Sequence, residues 1–212
     1  MALNELVKRG HYGIRMGAIV NKKISFHDHK IIDYATNGSR TDFMDVYLGS
    51  KCKFFICDNS GISAIPEMFR KPVVYINLPK PEWMPSVQIN GLVIFKKFYI
   101  KKEKRLLSFG EIMRINIGGR ETNKIIADMG LELLENTPEE IKAATIEMDD
   151  RLNASWQTTE EDEELQQRFW ARLGQHKAKR PSYGSSDKLK RQLSSHFRVG
   201  ADFLRHNEEL IR

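Results

Sequence analysis

An apolar strand, Phe54 to Cys57, runs straight into the polar turn Asp58-Asn59-Ser60-Gly61. A helix begins in that turn, and Lys71-Pro72 then leads into a second apolar strand, Val73 to Asn77. Two strands joined through a helix lie parallel in one sheet, because a tight hairpin cannot join parallel neighbours. The same order sets a helix N-terminus at the carboxyl end of a strand, where open parallel sheets bind ligands. Such an N-terminus offers unpaired backbone N–H groups and the positive end of a dipole, both suited to phosphate. Residues 52–72 therefore predict a fold and a ligand class together.

The flanking sequence repeats the rhythm. Residues 2–9 read as a short helix closed by Gly10, and residues 13–17 and 31–35 read as strands. Thr41 reads as the N-cap of a helix over 42–48, with Phe43, Val46 and Tyr47 on one apolar face. Strand 53–57, helix 62–69 and strand 73–77 follow. Prolines 79, 81 and 85 mark residues 78–90 as an irregular loop, and Gly91 to Phe95 reads as a further strand. Ser108 opens a short helix through Arg114, and Leu131 to Leu134 reads as a small strand. Thr137-Pro138-Glu139-Glu140 is a capping box with proline at the first helical position. The helix it opens runs to Leu152, with Ile141, Ala144 and Met148 inward. Thr158 or Thr159 starts another, whose acidic first turn suits the dipole and whose apolar face is Leu165, Phe169, Trp170 and Leu173. The expected fold class is α/β. A Rossmann-like parallel sheet with helices on both faces is expected over residues 1–152, with a helix over 153–173 packed on it. A flexible linker over 174–200 and a terminal helix over 201–212 complete the expected C-terminal helical extension.

Composition bounds the function classes. Hydrophobic residues are 41% and charged residues 29%, an ordinary globular balance, and no apolar run reaches the length of a membrane span. The first ten residues lack the basic-then-apolar order of a signal peptide, so the expected location is the cytoplasm. Cys52 and Cys57 lie five apart on one predicted strand, face opposite ways and read as buried free thiols. The net charge of +6 is unevenly spread: residues 96–105 hold six bases and one acid. That stretch, with Phe98 and Tyr99, fits either an anionic lipid surface at the inner face of the membrane or a solvated strand with a charged turn. Nucleic acid is not an expected partner, since the charge is modest and no nucleic-acid motif occurs.

Several residues are candidates for chemistry, each with a plainer alternative. Asn59, Ser60 and Gly61 fit a phosphate cradle, or else an ordinary strand-to-helix turn capped by Ser60 or Ser63. Arg15 sits on the otherwise apolar strand Ile14 to Met16. It fits a cation that offsets phosphate charge, or one held in an ion pair with Asp33 or Asp45. Ser39 and Arg40 precede the helix at Asp42 and lie where a loop that contacts a base or phosphate would sit. Asp42 and Asp45 fit dipole partners rather than catalytic bases. His27-Asp28-His29 is too compact for a metal site without further ligands, and no metal is expected. Gly118-Gly119-Arg120 fits an anion nest or a loop.

Ser60-Gly61, Glu67 seven residues after the serine and Lys71-Pro72-Val73 leading a strand together resemble the donor half of GT-B glycosyltransferases. They also resemble the sugar-nucleotide epimerases of the same fold. The wider set is similar to a family of bacterial glycosyltransferases of surface-polysaccharide synthesis. It comprises Ile14-Arg15-Met16-Gly17, Asp33-Tyr34-Ala35, residues 41–48, Phe54-Phe55-Ile56, Asn59-Ser60-Gly61, residues 136–141 and Phe203-Leu204-Arg205. The resemblance implies one half of a GT-B fold and transfer of a sugar from a nucleotide-diphosphate donor to a saccharide or lipid-linked acceptor. It implies Ser60 and Gly61 at the diphosphate and Glu67 at the ribose hydroxyls; in such a site Arg15, by its place on the strand, reads as the cation beside the departing diphosphate. No cofactor and no metal are implied. The match begins one helix before the first strand of the family's second domain. The expected partner is therefore a missing acceptor domain or another chain; a non-catalytic binding module and an epimerase are the other readings.

Overall fold

A computed structural model describes residues 1–20, 22–24, 28–58, 60–84, 90–115, 122–175 and 197–212. The described chain is α/β. Its centre is a four-stranded, wholly parallel sheet built from β3 (Phe55–Cys57), β4 (Val73–Leu78), β5 (Gly91–Phe95) and β9 (Phe197–Val199), in that spatial order. Parallel strands buried on both faces read as continuous apolar runs, and β5 is buried along its whole length. Val73, Val74, Tyr75, Val93, Ile94 and Phe95 expose nothing. Gly91 opens β5 because the ring of Phe197 lies where a Cβ would be, 2.3 Å away.

β9 corrects the expectation of a linker over 174–200. Residues 197–199 are the sheet's fourth strand, and residues 176–196 lie outside the described residues. Phe197-Arg198-Val199 alternates inward apolar with polar, a strand signal too short to outweigh the polar run before it.

The two N-terminal strands are a second correction. β1 (Gly13–Ile14) and β2 (Ile31–Ile32) pair with each other in a separate parallel ladder. Both are far shorter than the expected 13–17 and 31–35. Arg15 and Asp33 follow them directly, and their ion pair replaces apolar packing at that point.

A third sheet was not expected. β6 (Lys97–Ile100) pairs antiparallel with β7 (Arg105–Leu106) on one side and β8 (Leu131–Leu134) on the other. The basic stretch is therefore a hairpin, and four of its six cations meet carboxylates. Lys96 reaches Glu135, Lys97 reaches Glu140, Lys101 reaches Glu132, and Arg105 reaches Glu103 and Glu111.

The helices are α1 (Ala2–Lys8), α2 (Asp42–Lys51), α3 (Ala64–Met68), α4 (Phe109–Arg114), α5 (Thr122–Asp128), α6 (Pro138–Leu152), α7 (Glu160–Gln175) and α8 (Ala201–His206). The capping box at Thr137 and Glu140 forms as expected, and Ser108 with Glu111 makes a second one on α4. α6 buries Ala144 and Met148, and α7 buries Leu165, Phe169 and Trp170. The expected terminal helix is α8 followed by a separate 3-10 turn, Glu208–Ile211. α2 is turned opposite to its periodicity. Asp45 and Gly49 are buried, while Phe43 is 73% exposed, with Val46 and Tyr47 also outward. Gly49 lets the helix close on Ile65, whose Cγ2 lies 2.6 Å from where a Cβ would be. Cys52 is not on a strand; it caps α2, and both cysteines are free. No helix among the described residues is long and apolar enough to cross a membrane.

Candidate functional site

β3 ends at Cys57, and Asp58 and Ser60 follow at its carboxyl end. The helix after them is shorter than expected. Gly61–Ser63 is a single 3-10 turn and α3 adds five residues, so the dipole behind the turn is small. Neither Ser60 nor Ser63 caps it through its side chain. The turn is set by its own backbone instead. Ser60 N–H donates to Asp58 O at 2.8 Å and Ser63 N–H to Ser60 O at 2.9 Å. Ser60 and Gly61 are exposed, and a Cβ on Gly61 would meet nothing within 4 Å. Space above the backbone is therefore open to a ligand. Asn59 lies outside the described residues.

Glu67 lies in α3, half-buried, one turn beyond the start of the helix. Buried Pro66 sits at the start of α3, where a missing N–H costs no helical bond. The Tyr75 hydroxyl donates to Glu67 Oε1 at 2.5 Å. Tyr75 is on β4, opposite Cys57 in the β3–β4 register. Burial first, then the Glu67 carboxylate, pushes the Tyr75 hydroxyl well above its ordinary range. Burial, with Asp58 and Glu67 nearby, does the same to the Cys57 thiol, which stays protonated and unreactive. The sequence reading missed Tyr75, because one phenol inside Val-Val-Tyr-Ile looks like core. Its only signal is chemical: a buried tyrosine hydroxyl needs a partner.

The other candidates do not converge on the turn. Arg15 Nη1 donates to Asp33 at 3.1 and 3.2 Å and to Lys22 O at 2.8 Å. Asp33 also accepts from Thr36 and from the Ile24 backbone, and these contacts, Thr36 foremost, lower its pKa. Arg15 thus takes the ion-pair alternative, with Asp33 as its partner. Arg40 donates to buried Asp45 at 2.7 Å and lies 3.6 Å from Asp42. Ser39 N–H is tied to Asn37 Oδ1. No hydrogen bond or ion pair among the described residues links Arg15, Ser39 or Arg40 to Ser60. Strand order β3-β4-β5-β9 advances in one direction, so the described part of this sheet has no order reversal of the kind that opens a ligand crevice.

His27 and residues 118–120 lie outside the described residues, and no group of three His, Cys, Asp or Glu among the described residues could hold a metal ion. Compared with models of protein families, with curated proteins and with solved structures, the chain matches none.

Proposed function

We propose that the Ser60 turn binds the diphosphate of a nucleotide sugar, in the service of sugar transfer to a saccharide or lipid-linked acceptor. One observation carries this reading. Ser60 and Gly61 stand exposed at the carboxyl end of a parallel strand, with open space over Gly61 and an oriented carboxylate on the helix that follows. A diphosphate laid on the turn takes hydrogen bonds from the Ser60 hydroxyl and from amides at the start of the 3-10 turn, which have no intrahelical acceptor. Tyr75 holds Glu67 Oε1 and leaves Oε2 to accept from a ribose hydroxyl. The acceptor side is supplied by another domain or chain.

A second reading, binding without turnover, is favoured by the arginines. Arg15 and Arg40 are both neutralised by aspartates, so neither is poised for a departing diphosphate. Titration calorimetry with UDP-, GDP- and CMP-sugars tests the donor site. One of the diphosphate sugars should bind. Gly61→Ala should leave the melting temperature unchanged, because its methyl enters open space, and should weaken that binding about tenfold. A folded sample that binds none of them ends the proposal. Release of nucleoside diphosphate in the presence of acceptor separates transfer from binding alone.

A further inference from the structure

At the other end of the same sheet lies a cavity of about 630 Å³ that the proposed donor site does not use. It opens at the amino ends of β5 and β9, beside the C-terminal turn of α6. Leu92, Met148 and Phe197 give it an apolar wall, and Arg151, Trp156 and Arg198 give it polar ones. Its volume is that of a small-molecule site. Arg151 lies over the Trp156 ring, 5.1 Å from the centroid.

Two buried nitrogens of these wall residues, Trp156 Nε1 and Arg198 Nε, have no hydrogen-bond partner among the described residues. Buried polar groups left unpaired are rare and costly, and each exception asks for a reason. Indole and guanidinium nitrogens donate and do not accept, so what satisfies them is an acceptor. The charges narrow its kind. Arg151 is held by Glu147 at 2.7 and 2.9 Å, and Arg198 Nη2 by Glu163 at 2.7 Å. Two cations and two carboxylates cancel, so a dianion entering here would meet both carboxylates without surplus positive charge. A single negative charge with an apolar body fits the donors and the wall together.

We propose that this cavity is a second ligand site, which takes a small carboxylate with an aromatic or aliphatic body. The carboxylate accepts from Trp156 Nε1 and Arg198 Nε, and the body lies on Leu92, Met148 and Phe197. Both nitrogens are closed to water as the side chains stand, so a rotamer change at Arg198 accompanies entry.

The test uses the full, isotope-labelled chain and follows the Trp156 indole N–H by NMR, assigned by its loss in Trp156→Phe. Naphthoate is the probe, with naphthylmethanol and inorganic phosphate as comparators. Naphthoate should shift this resonance saturably at concentrations up to about 1 mM. Trp156→Phe keeps the ring under Arg151, and Arg198→Lys keeps the charge facing Glu163, yet each removes one unpaired donor. Each variant, followed by naphthoate-detected NMR, should lose about tenfold in affinity while its melting temperature holds or rises. A purely structural role would lower the melting temperature instead. Absence of a saturable shift, equal binding of naphthylmethanol, the same shift from phosphate alone, or unchanged affinity in either variant would each overturn the proposal.

Discussion

Glu67 shows how one residue's surroundings decide what it offers. As a helix glutamate after a serine-glycine turn it reads as free to take two ribose hydroxyls. In the fold one of its oxygens belongs to Tyr75. The carboxylate is oriented by that bond and keeps one oxygen to give. Tyr75→Phe keeps the buried ring and removes the hydroxyl, leaving a half-buried carboxylate oxygen unpaired. A loss of about 1–2 kcal/mol in urea denaturation is expected. If the Ser60 turn binds a nucleotide sugar as proposed, that affinity should fall with it, since Glu67 is no longer fixed. Arg15 makes the complementary point. Both its alternatives are visible in the sequence, but the choice of Asp33 over phosphate depends on β1 and β2 pairing side by side. Periodicity does not contain that pairing.

Among the elements, those with a strong local signal form where expected. The helix starts of α4 at Ser108 and α6 at Thr137 and the apolar strands β4 and β5 are of this kind. α2 inverts its reading because Gly49 permits a close approach to α3 and Arg40 neutralises Asp45, so its smaller, polar face can turn inward. The edge strand β9 is the most distant pairing, more than a hundred residues after β5 in the chain. Its outer edge is met by a side chain: Gln166 of α7 donates to Val199 O at 2.6 Å and accepts from Val199 N–H at 3.1 Å. An amide placed so stands in for a further strand and closes the edge. Gln166→Ala leaves two buried backbone groups unpaired and should cost about 1–3 kcal/mol. Exposed Gln167→Ala is the control and should stay within about 0.5 kcal/mol in the same chemical denaturation.

At the scale of the whole molecule, buried charge binds parts that are far apart in sequence. Asp149 of α6 accepts from Lys53 at 2.7 Å before β3, and His11 Nε2 lies 2.9 Å away before β1. Arg9 spans Asp149 and Asp150. Asp162 of α7 takes a two-point contact from Arg205 of α8. These contacts set the response to acid. Burial alone would raise Asp149 and Asp162, but their cationic and hydrogen-bond partners bring both below the ordinary range. Arg105 foremost holds Glu111 at about 2. A carboxyl whose folded pKa is depressed stabilises the fold fully above its unfolded pKa and loses that contribution as pH falls through the folded value. Glu147 is raised, chiefly by burial, and works in the opposite sense, gaining as pH falls. With the depressed set larger, the urea midpoint should be flat near neutrality and fall as pH drops from about 4.5 toward about 2. Asp149→Asn should lower the midpoint at neutral pH and flatten its acid dependence, as measured by circular dichroism across that range.

Sequence alone determined that the chain is α/β, with a strand–helix–strand unit at residues 53–77, because apolar period, caps and breakers act over a few residues at a time. It also placed Ser60 and Gly61 at a strand's carboxyl end. Only the tertiary structure decided that β1 and β2 stand as their own ladder and that β6, β7 and β8 build an antiparallel sheet. It likewise placed Phe197–Val199 in the central sheet, gave Glu67 to Tyr75 and turned Phe43 outward. Each of these depends on which distant surfaces meet, and the free energy of that meeting belongs to burial and paired charge rather than to local propensity.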